Sequence, residues 1–182
     1  MMTKEINQEN EGDGSHGPQK PALGLTGRKI IYDKDGKPCR ACNTLLDFKM
    51  ATGAKPKVSG TFPGFSTAYA KDEPPDVEQL GRSTWTFLHS VAASYPEEAS
   101  ISQQEDMKSF LNIFGKIYPC WFCAKDFTKY IGENQPKVKT QEDFGRWLCD
   151  AHNSVNKKLG KPQFDCNLWK KRWKDGWDEE EN

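Results

Sequence analysis

The sequence predicts an all-α protein: a four-helix bundle plus a short fifth helix, with a largely disordered N-terminal arm. Apolar residues from position 76 onward recur at helical spacing, helix-stop residues divide that pattern, and no convincing pair of strands is present. Residues 1–75 are rich in Gly, Pro, Lys and polar residues without a sustained period, as in chains that bury too little apolar area to order themselves. We therefore assign 1–75 to a flexible arm and linker, 76–178 to a helical domain and 179–182 to an acidic tail.

The first two bundle helices are predicted by apolar stripes between helix start and stop signals. The first begins after the prolines at 74–75 and stops at Pro96. The second is predicted to start at Ser102, because Glu105 follows at the spacing of a capping box, and to end at Pro119. Both stripes place their apolar residues on one face, which is typical of helices that pack in a bundle.

The remaining helices follow from the same signals. The third is predicted to start at about Cys120 and to close at Gly132. The fourth begins near Thr140 and terminates at Gly160, and a short fifth helix covers roughly 165–174. These five segments complete the predicted bundle.

The composition excludes several classes of partner. Lys+Arg and Asp+Glu are equal in number, 26 each, so no global field attracts nucleic acid or an acidic membrane. The chain has no apolar run of about 18 residues and no apolar segment typical of a secretory signal. Residues 1–27 contain no Arg and do not resemble a mitochondrial presequence. We predict no nucleic-acid binding and no membrane insertion.

Six cysteines indicate disulfide chemistry, and they fall into three pairs: Cys39/Cys42, Cys120/Cys123 and Cys149/Cys166. Cys120 and Cys123 lie one helical turn apart at a predicted helix start, where backbone N–H groups and the helix dipole stabilise a thiolate. We expect this pair to be redox-active, with the sulfur of Cys120 exposed. For Cys149 and Cys166 we prefer a structural disulfide, which would stabilise the fold by roughly 3 kcal/mol through loop closure.

The Cys-x-x-Cys motifs also allow two other interpretations. Together they could supply four thiolates for zinc, but zinc ribbons hold their halves a dozen or two residues apart, and here two predicted helices intervene. A thioredoxin-like site needs a βαβ context that the sequence does not supply. We therefore predict no metal site, and a non-enzymatic helical or zinc-held binding module stays open as the alternative function.

Four ordered stretches resemble the Erv/ALR family of flavin-linked sulfhydryl oxidases. They are GRSTWTFLHSVAASYP at 81–96, IYPCWFC at 117–123, HNSVNKKLGKPQFDC at 152–166 and RWKDGW at 172–177. In addition, GRKIIYDKDGKPCRAC at 27–42 is similar to the arm of the mitochondrial branch of that family. The resemblance runs from Gly27 to Trp177 except for a poorly matched linker near 49–72.

The resemblance implies a non-covalent FAD in the mouth of the bundle. The residues that match the family's cofactor site are Arg82, Thr84, Trp85, His89, Tyr118, Cys123, His152, Val155, Asn156, Lys158, Lys161, Arg172 and Trp173. Cys120 and Cys123 match the catalytic pair beside the flavin, and Cys39 and Cys42 match the shuttle pair of the arm. The protein is thereby expected to be an enzyme that makes disulfides.

The resemblance also implies the partners. A dithiol protein client gives electrons to Cys39/Cys42, which pass them to Cys120/Cys123, then FAD, then dioxygen or cytochrome c. The mitochondrial-type arm implies the intermembrane space, where the client would be the import oxidoreductase, and the family implies a homodimer. About 33 flexible residues between Cys42 and Asp76 would span roughly 30 Å, which is enough for a shuttle across a small bundle.

Overall fold

The computed structural model describes residues 22–54 and 74–177, and five α-helices lie in these ranges. They are α1 Leu45–Ala51, α2 Val77–Ala93, α3 Ile101–Ile117, α4 Trp121–Glu133 and α5 Gln141–Lys158. Extended segments pair only at isolated bridges in the described part of the chain. None of the helices described there is long and apolar enough to cross a membrane. The prediction of an all-α bundle is confirmed.

The start of α3 differs from the prediction. The helix is capped by Ser100, whose side chain accepts from the backbone N–H of Gln103, while the Gln103 side chain accepts from the N–H of Ser100. The predicted capping box of Ser102 and Glu105 is therefore wrong by two residues. Both pairs have the required spacing, but the backbone is already helical from Ile101 onward, so only Ser100 lies where the chain enters the helix.

The other predicted starts near Cys120 and Thr140 are confirmed. Cys120 is the N-cap of α4 and its sulfur accepts from the N–H of Cys123. Thr140 is the N-cap of α5 and accepts from the N–H of Asp143. Gly160 follows α5 with a φ of 67°, a left-handed conformation that glycine adopts without strain.

The predicted fifth helix is not a regular α-helix. It is a 3-10 turn, Cys166–Leu168, followed by a π-helical turn, Lys171–Asp175. The segment is held at several points: a disulfide ties Cys166 to α5, the ring of Trp169 is buried against Gly145, and Trp173 stacks on α2. We infer that these contacts, rather than a regular hydrogen-bond ladder, set its winding.

The bundle core lies between two helix pairs, α2 with α5 and α3 with α4. Its buried residues are Leu88, Ala92, Tyr95, Leu111, Phe127, Ile131, Val138, Phe144, Trp147 and Leu148. The packing fixes α2 beside α5, which together carry most of the predicted cofactor residues. It also places the start of α4, with its cysteine pair, next to α2.

Part of the predicted arm is an ordered lobe, residues 22–54. The sequence predicts no helix there, yet α1 forms, and polar side chains rather than a large apolar core hold it. Asp47 is buried and accepts from the N–H and hydroxyl of Thr26, while Thr44 caps α1. Hydropathy does not detect such buried polar contacts. The flexibility predicted for 1–21 and 55–73, and the tail from 179, lie outside the described residues.

The lobe is attached to the start of α2. The carboxylate of Asp76 caps α2 and also accepts from the N–H of Leu45 at 3.1 Å, and the N–H of Val77 donates to the carbonyl of Asn43 at 3.3 Å. Arg28 forms an ion pair with Glu78 at 2.8 Å. The predicted flexible linker of about 33 residues is therefore wrong for residues 43–54, which are folded.

Candidate active site

The two Cys-x-x-Cys motifs meet in one cluster. Cys39–Cys42 and Cys120–Cys123 are both disulfides, and Cys39, Cys42 and Cys120 are buried in contact with one another, with Cys123 packed against them. The cluster is completed by apolar parts of Ile31, Val77, Tyr118 and Phe122. Two disulfides that are separated in the sequence by three helices, α1, α2 and α3, thus lie side by side.

Cys120 is fully buried, with 0% of its surface exposed. This corrects the expectation that its sulfur is exposed: the lobe places the Cys39–Cys42 disulfide against it. The N–H of Cys123 donates to the Cys120 sulfur at 3.2 Å, and the N-terminal N–H groups of α4 favour a thiolate at this position after reduction. The inner disulfide can therefore exchange with the outer one without crossing solvent.

Asn43 positions the outer disulfide, and sequence reasoning missed it. Its side-chain oxygen accepts from the N–H of Ile31 at 2.8 Å, and its amide donates to the carbonyls of Ile31 and Cys39 at 2.7 Å each. Asn43 is itself buried, so these bonds satisfy polar groups that water cannot reach. Its only signal in sequence is an amide directly after a Cys-x-x-Cys motif.

Arg40, between the two cysteines, carries the positive charge of the outer motif. Its guanidinium donates to the carbonyl of Pro74 and lies 5.4 Å from the ring centre of Phe48. Its Nη1 is buried without a hydrogen-bond partner among the described residues. Because Arg40 lies between the two cysteines in sequence, we expect its charge to favour the thiolate that exchange requires.

A second cluster unites four predicted cofactor residues from α2, α5 and the C-terminal turn. The rings of Trp85 and His152 stack at 4.2 Å, and those of His89 and Trp173 stack at 4.4 Å. His89 Nε2 and His152 Nδ1 lie 3.1 Å apart and share a hydrogen bond. We call these four residues the aromatic cluster.

The imidazoles of the aromatic cluster are neutral at pH 7. Burial, then the charges of His152 and Arg172, lower the pKa of His89 to about 3. Burial, then the charge of Lys161, lowers the pKa of His152 to about 4. The Nδ1 of His89 is buried and has no hydrogen-bond partner among the described residues. Flat rings, a free buried nitrogen and two nearby cations together fit a ligand with planar rings and phosphate groups.

Other predicted residues lie towards the cysteines or the groove between α4 and α5. The hydroxyls of Thr84 and Tyr118 are hydrogen-bonded at 3.2 Å, which connects α2 to the cysteine cluster. Burial raises the pKa of Tyr118, and its hydrogen bond to Thr84 opposes that shift. Lys158 pairs with Asp126 and lies 4.3 Å from the ring centre of Phe122, beside Cys123.

The last predicted residues lie around the edges of the site. Val155 and Lys158 line a cavity of about 190 Å³ between α4 and α5, and the carbonyl of Asn156 accepts from the N–H of Lys161 at 2.8 Å. Arg172 lies 5.2 Å from the ring centre of Trp173, and Arg82 is exposed on α2. The structure therefore divides the predicted set among the aromatic cluster, the cysteine cluster, the α4–α5 groove and the edges of the site.

The third disulfide, Cys149–Cys166, joins α5 to the C-terminal turn away from the cysteine cluster. Cys149 is buried, and Asn153 on the same helix bonds both the N–H and the carbonyl of Phe164, at 2.8 and 2.7 Å. The disulfide thus closes a loop that polar contacts also hold. This geometry agrees with the preferred structural role, which stays a prediction.

The comparisons with known proteins agree on one family. The family model described as "Erv1 / Alr family" matches residues 82–174. The mitochondrial FAD-linked sulfhydryl oxidase ERV1 of Saccharomyces cerevisiae is 60% identical over 179 residues, covering 87% of this chain and 94% of that protein. The Schizosaccharomyces pombe protein of the same name is 39% identical, covering 79% of this chain and 90% of its own length.

Solved structures agree with these relatives. The crystal structure of the yeast Erv1 core is 66% identical and superposes with a TM-score of 0.59, covering 65% of this chain and 100% of that one. The FAD binding domain of Erv1 from Saccharomyces cerevisiae is 68% identical, with a TM-score of 0.56 over 58% of this chain and 100% of its own. The resemblance noted in the sequence is confirmed, and the chain belongs to the Erv1/Alr family.

Proposed function

We propose that the protein is an FAD-dependent thiol oxidase that makes disulfides in a dithiol protein client of the mitochondrial intermembrane space. The observation that carries the proposal is the contact between Cys39–Cys42 and Cys120–Cys123 in one buried cluster. A relay of disulfides requires such contact, because thiol–disulfide exchange proceeds by direct attack of one sulfur on another. The names of the family relatives support the same activity.

The client exchanges first with the outer disulfide. A client thiolate attacks Cys39–Cys42 to form a mixed disulfide, and the second client thiol resolves it. The client leaves with a disulfide, and the outer pair becomes a dithiol. Two electrons and two protons have moved from the client to Cys39 and Cys42, with Arg40 favouring the thiolate form.

The inner disulfide is reduced next. A thiolate of the outer pair attacks Cys120 and releases the thiolate of Cys123, which lies in the first turn of α4. The second outer thiol resolves the mixed disulfide, so Cys39–Cys42 is restored and Cys120 and Cys123 hold the electron pair. Burial of Cys120 beneath the lobe favours this route over attack from solvent.

The aromatic cluster and its neighbouring cations are proposed to hold FAD without a covalent bond. Trp85, His89, His152 and Trp173 offer stacking surfaces, the free Nδ1 of His89 offers a polar contact, and Arg172 with Lys161 offers charge for phosphate. Bound there, FAD would supply a two-electron acceptor for the Cys120/Cys123 dithiol, with dioxygen or cytochrome c as the proposed final acceptor. The chain's own residues orient the sulfurs and exclude water.

The proposed partners are a client protein and a second copy of the chain. The import oxidoreductase of the intermembrane space is the proposed client, in line with the mitochondrial names of two relatives. A homodimer is supported by exposed apolar side chains on α2 and α3, where Phe87 is 53%, Ile113 55% and Ile117 72% exposed. Exposed apolar side chains of this kind are typical of a surface that another chain covers.

The first test removes the inner thiol. Cys123→Ser is expected to leave a folded, yellow, FAD-loaded protein that does not turn over dithiothreitol, because Cys120 then has no partner with which to form a disulfide. Oxygen consumption measures turnover, and the visible spectrum measures the flavin. Oxygen consumption near the wild-type rate would refute the assignment. A colourless purified protein with stoichiometric zinc would support the non-enzymatic module instead.

The second test separates shuttle from catalyst. Cys39→Ser with Cys42→Ser is expected to slow oxidation of the protein client severely while sparing oxidation of dithiothreitol, since a small dithiol can reach Cys120 when the lobe opens locally and a folded client cannot. Both substrates are measured with the same FAD-loaded enzyme. Equal losses would place the outer pair in the catalytic core, and equal retention would remove it from the electron path.

A further inference from the structure

The fold brings four sulfurs together that the sequence holds far apart. Each Cys-x-x-Cys motif spans the start of a helical turn, Arg40–Cys42 for the outer pair and α4 for the inner pair. The two pairs share one buried cluster. The two motifs are too far apart in sequence for a zinc ribbon, but folding brings them into contact.

We infer that Cys39, Cys42, Cys120 and Cys123, when both disulfides are reduced, form a binding site for one zinc ion or a similar thiophilic divalent metal. Structural zinc sites are closed tetrahedra of thiolates, often supplied by two Cys-x-x-Cys motifs. Soft thiolate donors select such metals over magnesium or calcium. A site buried between the lobe and α4 also excludes competing water ligands.

The surroundings suit a negatively charged thiolate cluster. Four thiolates and one divalent ion carry two net negative charges, which a buried site must offset. Arg40 lies on the same turn as Cys39 and Cys42, and its Nη1 is buried without a hydrogen-bond partner among the described residues. The N–H of Cys123 already donates to the Cys120 sulfur at 3.2 Å, as N–H groups at the start of a helix do for an anion.

The site exists only in the reduced protein. All the described cysteines are paired in disulfides, and in this oxidised state the described residues contain no group of three or more His, Cys, Asp or Glu that could hold a metal. Reduction of the two disulfides takes four electrons and four protons, which two client dithiols supply. Metal binding then releases those protons as the four thiols become ligands. This source of electrons rests on the proposed function, whereas the site itself does not.

Metal binding would hold the cysteines in the reduced state. A thiolate bound to zinc is not free to attack a disulfide or to give its electrons onward, so zinc would inhibit thiol oxidation and a chelator would restore it. It would also tie the lobe to α4 through metal bonds. Zinc would therefore act on the pool of protein that client dithiols have reduced, and not on the oxidised protein.

The direct test uses the full-length, FAD-loaded protein. The wild type is reduced without oxygen by a phosphine and titrated with Co²⁺, and zinc is then added in competition. We expect one equivalent of cobalt with tetrahedral thiolate absorption at the red end of the spectrum, beyond the flavin bands. The oxidised protein should bind none. Absence of this spectrum in the reduced wild type overturns the inference, even if the metal-free enzyme oxidises thiols normally.

Variants and alkylation then locate the ligands. Cys39→Ser with Cys42→Ser, or Cys120→Ser with Cys123→Ser, should weaken zinc binding by more than the roughly 10–100-fold that loss of an outer-shell contact costs. In the reduced wild type, zinc should protect these four cysteines from alkylation while Cys149 and Cys166 are unaffected. Unchanged affinity in both variants, or protection at Cys149 and Cys166 instead, would overturn the assignment.

Discussion

Lowering the pH from 7 to 5 is expected to destabilise the cofactor-free protein through the two imidazoles of the aromatic cluster. The pKa of His89 is lowered to about 3 and that of His152 to about 4, from 6.5 in the unfolded chain. The unfolded chain therefore takes up protons first. The stabilisation is complete above about pH 6.5 and is lost as the pH falls towards the folded values.

The size of the effect follows from these pKa values. At pH 5 each imidazole is mostly protonated in the unfolded chain and neutral in the folded protein. This difference lowers the free energy of unfolding by about 2 kcal/mol per group. His152 is partly exposed, and the two imidazoles share a hydrogen bond, so their protonation is coupled. We therefore expect a total loss of about 2–4 kcal/mol between pH 7 and pH 5.

The assay is urea unfolding at pH 7, 6 and 5, with the wild type and His152→Gln compared at each pH. Glutamine keeps a polar side chain of similar reach but does not titrate, so the variant should lose roughly half of the pH dependence. Protonation of carboxylates near pH 5 is expected to cause a small loss of stability in both proteins. Equal stability of the wild type at pH 7 and pH 5, or a full wild-type decline in the variant, would contradict the role of the two imidazoles.

Three further substitutions test the framework around the sites. Cys166→Ala should lower the free energy of unfolding by about 2–5 kcal/mol and reduce FAD retention; an unchanged melting temperature would count against a structural disulfide. Gly145→Ala should lower the free energy of unfolding by about 1–3 kcal/mol, because the added Cβ would lie 2.5 Å from ring atoms of the buried Trp169. A urea midpoint equal to that of the wild type would disprove the clash. Asn43→Ala should lower the free energy of unfolding by roughly 1–3 kcal/mol and slow oxidation of the protein client. Asn43→Asp keeps only the hydrogen-bond acceptor and should restore little of either property. Full client oxidation in both variants would contradict the positioning role.

The bundle was predictable because its signals are local. Pro96, Pro119 and Gly160 end helices where the apolar stripes end, and Thr140 caps α5 as its sequence position suggests. The error at Ser102 arose because Ser100 offers the same spacing two residues earlier. Local patterns therefore predict which segments are helical more reliably than they predict the first residue of each.

The docked lobe was not predictable in the same way. Its order depends on single polar side chains that pair with distant backbone: Asn43 with Ile31, Asp47 with Thr26, and Asp76 with Leu45. Each contact joins residues at least a dozen positions apart, and the residue types involved are those that otherwise indicate loops. A composition that favours disorder thus also contains the groups that fix the lobe and bring the two disulfides together.

Because Cys120 is buried, the variant with Cys39→Ser and Cys42→Ser also reports on movement of the lobe. In the docked arrangement a small dithiol reaches Cys120 only after the lobe moves, because Cys39 and Cys42 cover its sulfur. The lobe is attached to α2 by a few hydrogen bonds and by the partly exposed pair Arg28–Glu78, a kind of ion pair that contributes about 1 kcal/mol or less. Local opening against such contacts is accessible without global unfolding. With the outer cysteines replaced by serine, the rate of dithiothreitol oxidation therefore measures how often the lobe undocks, whereas the loss of client oxidation relative to the wild type measures the contribution of the relay.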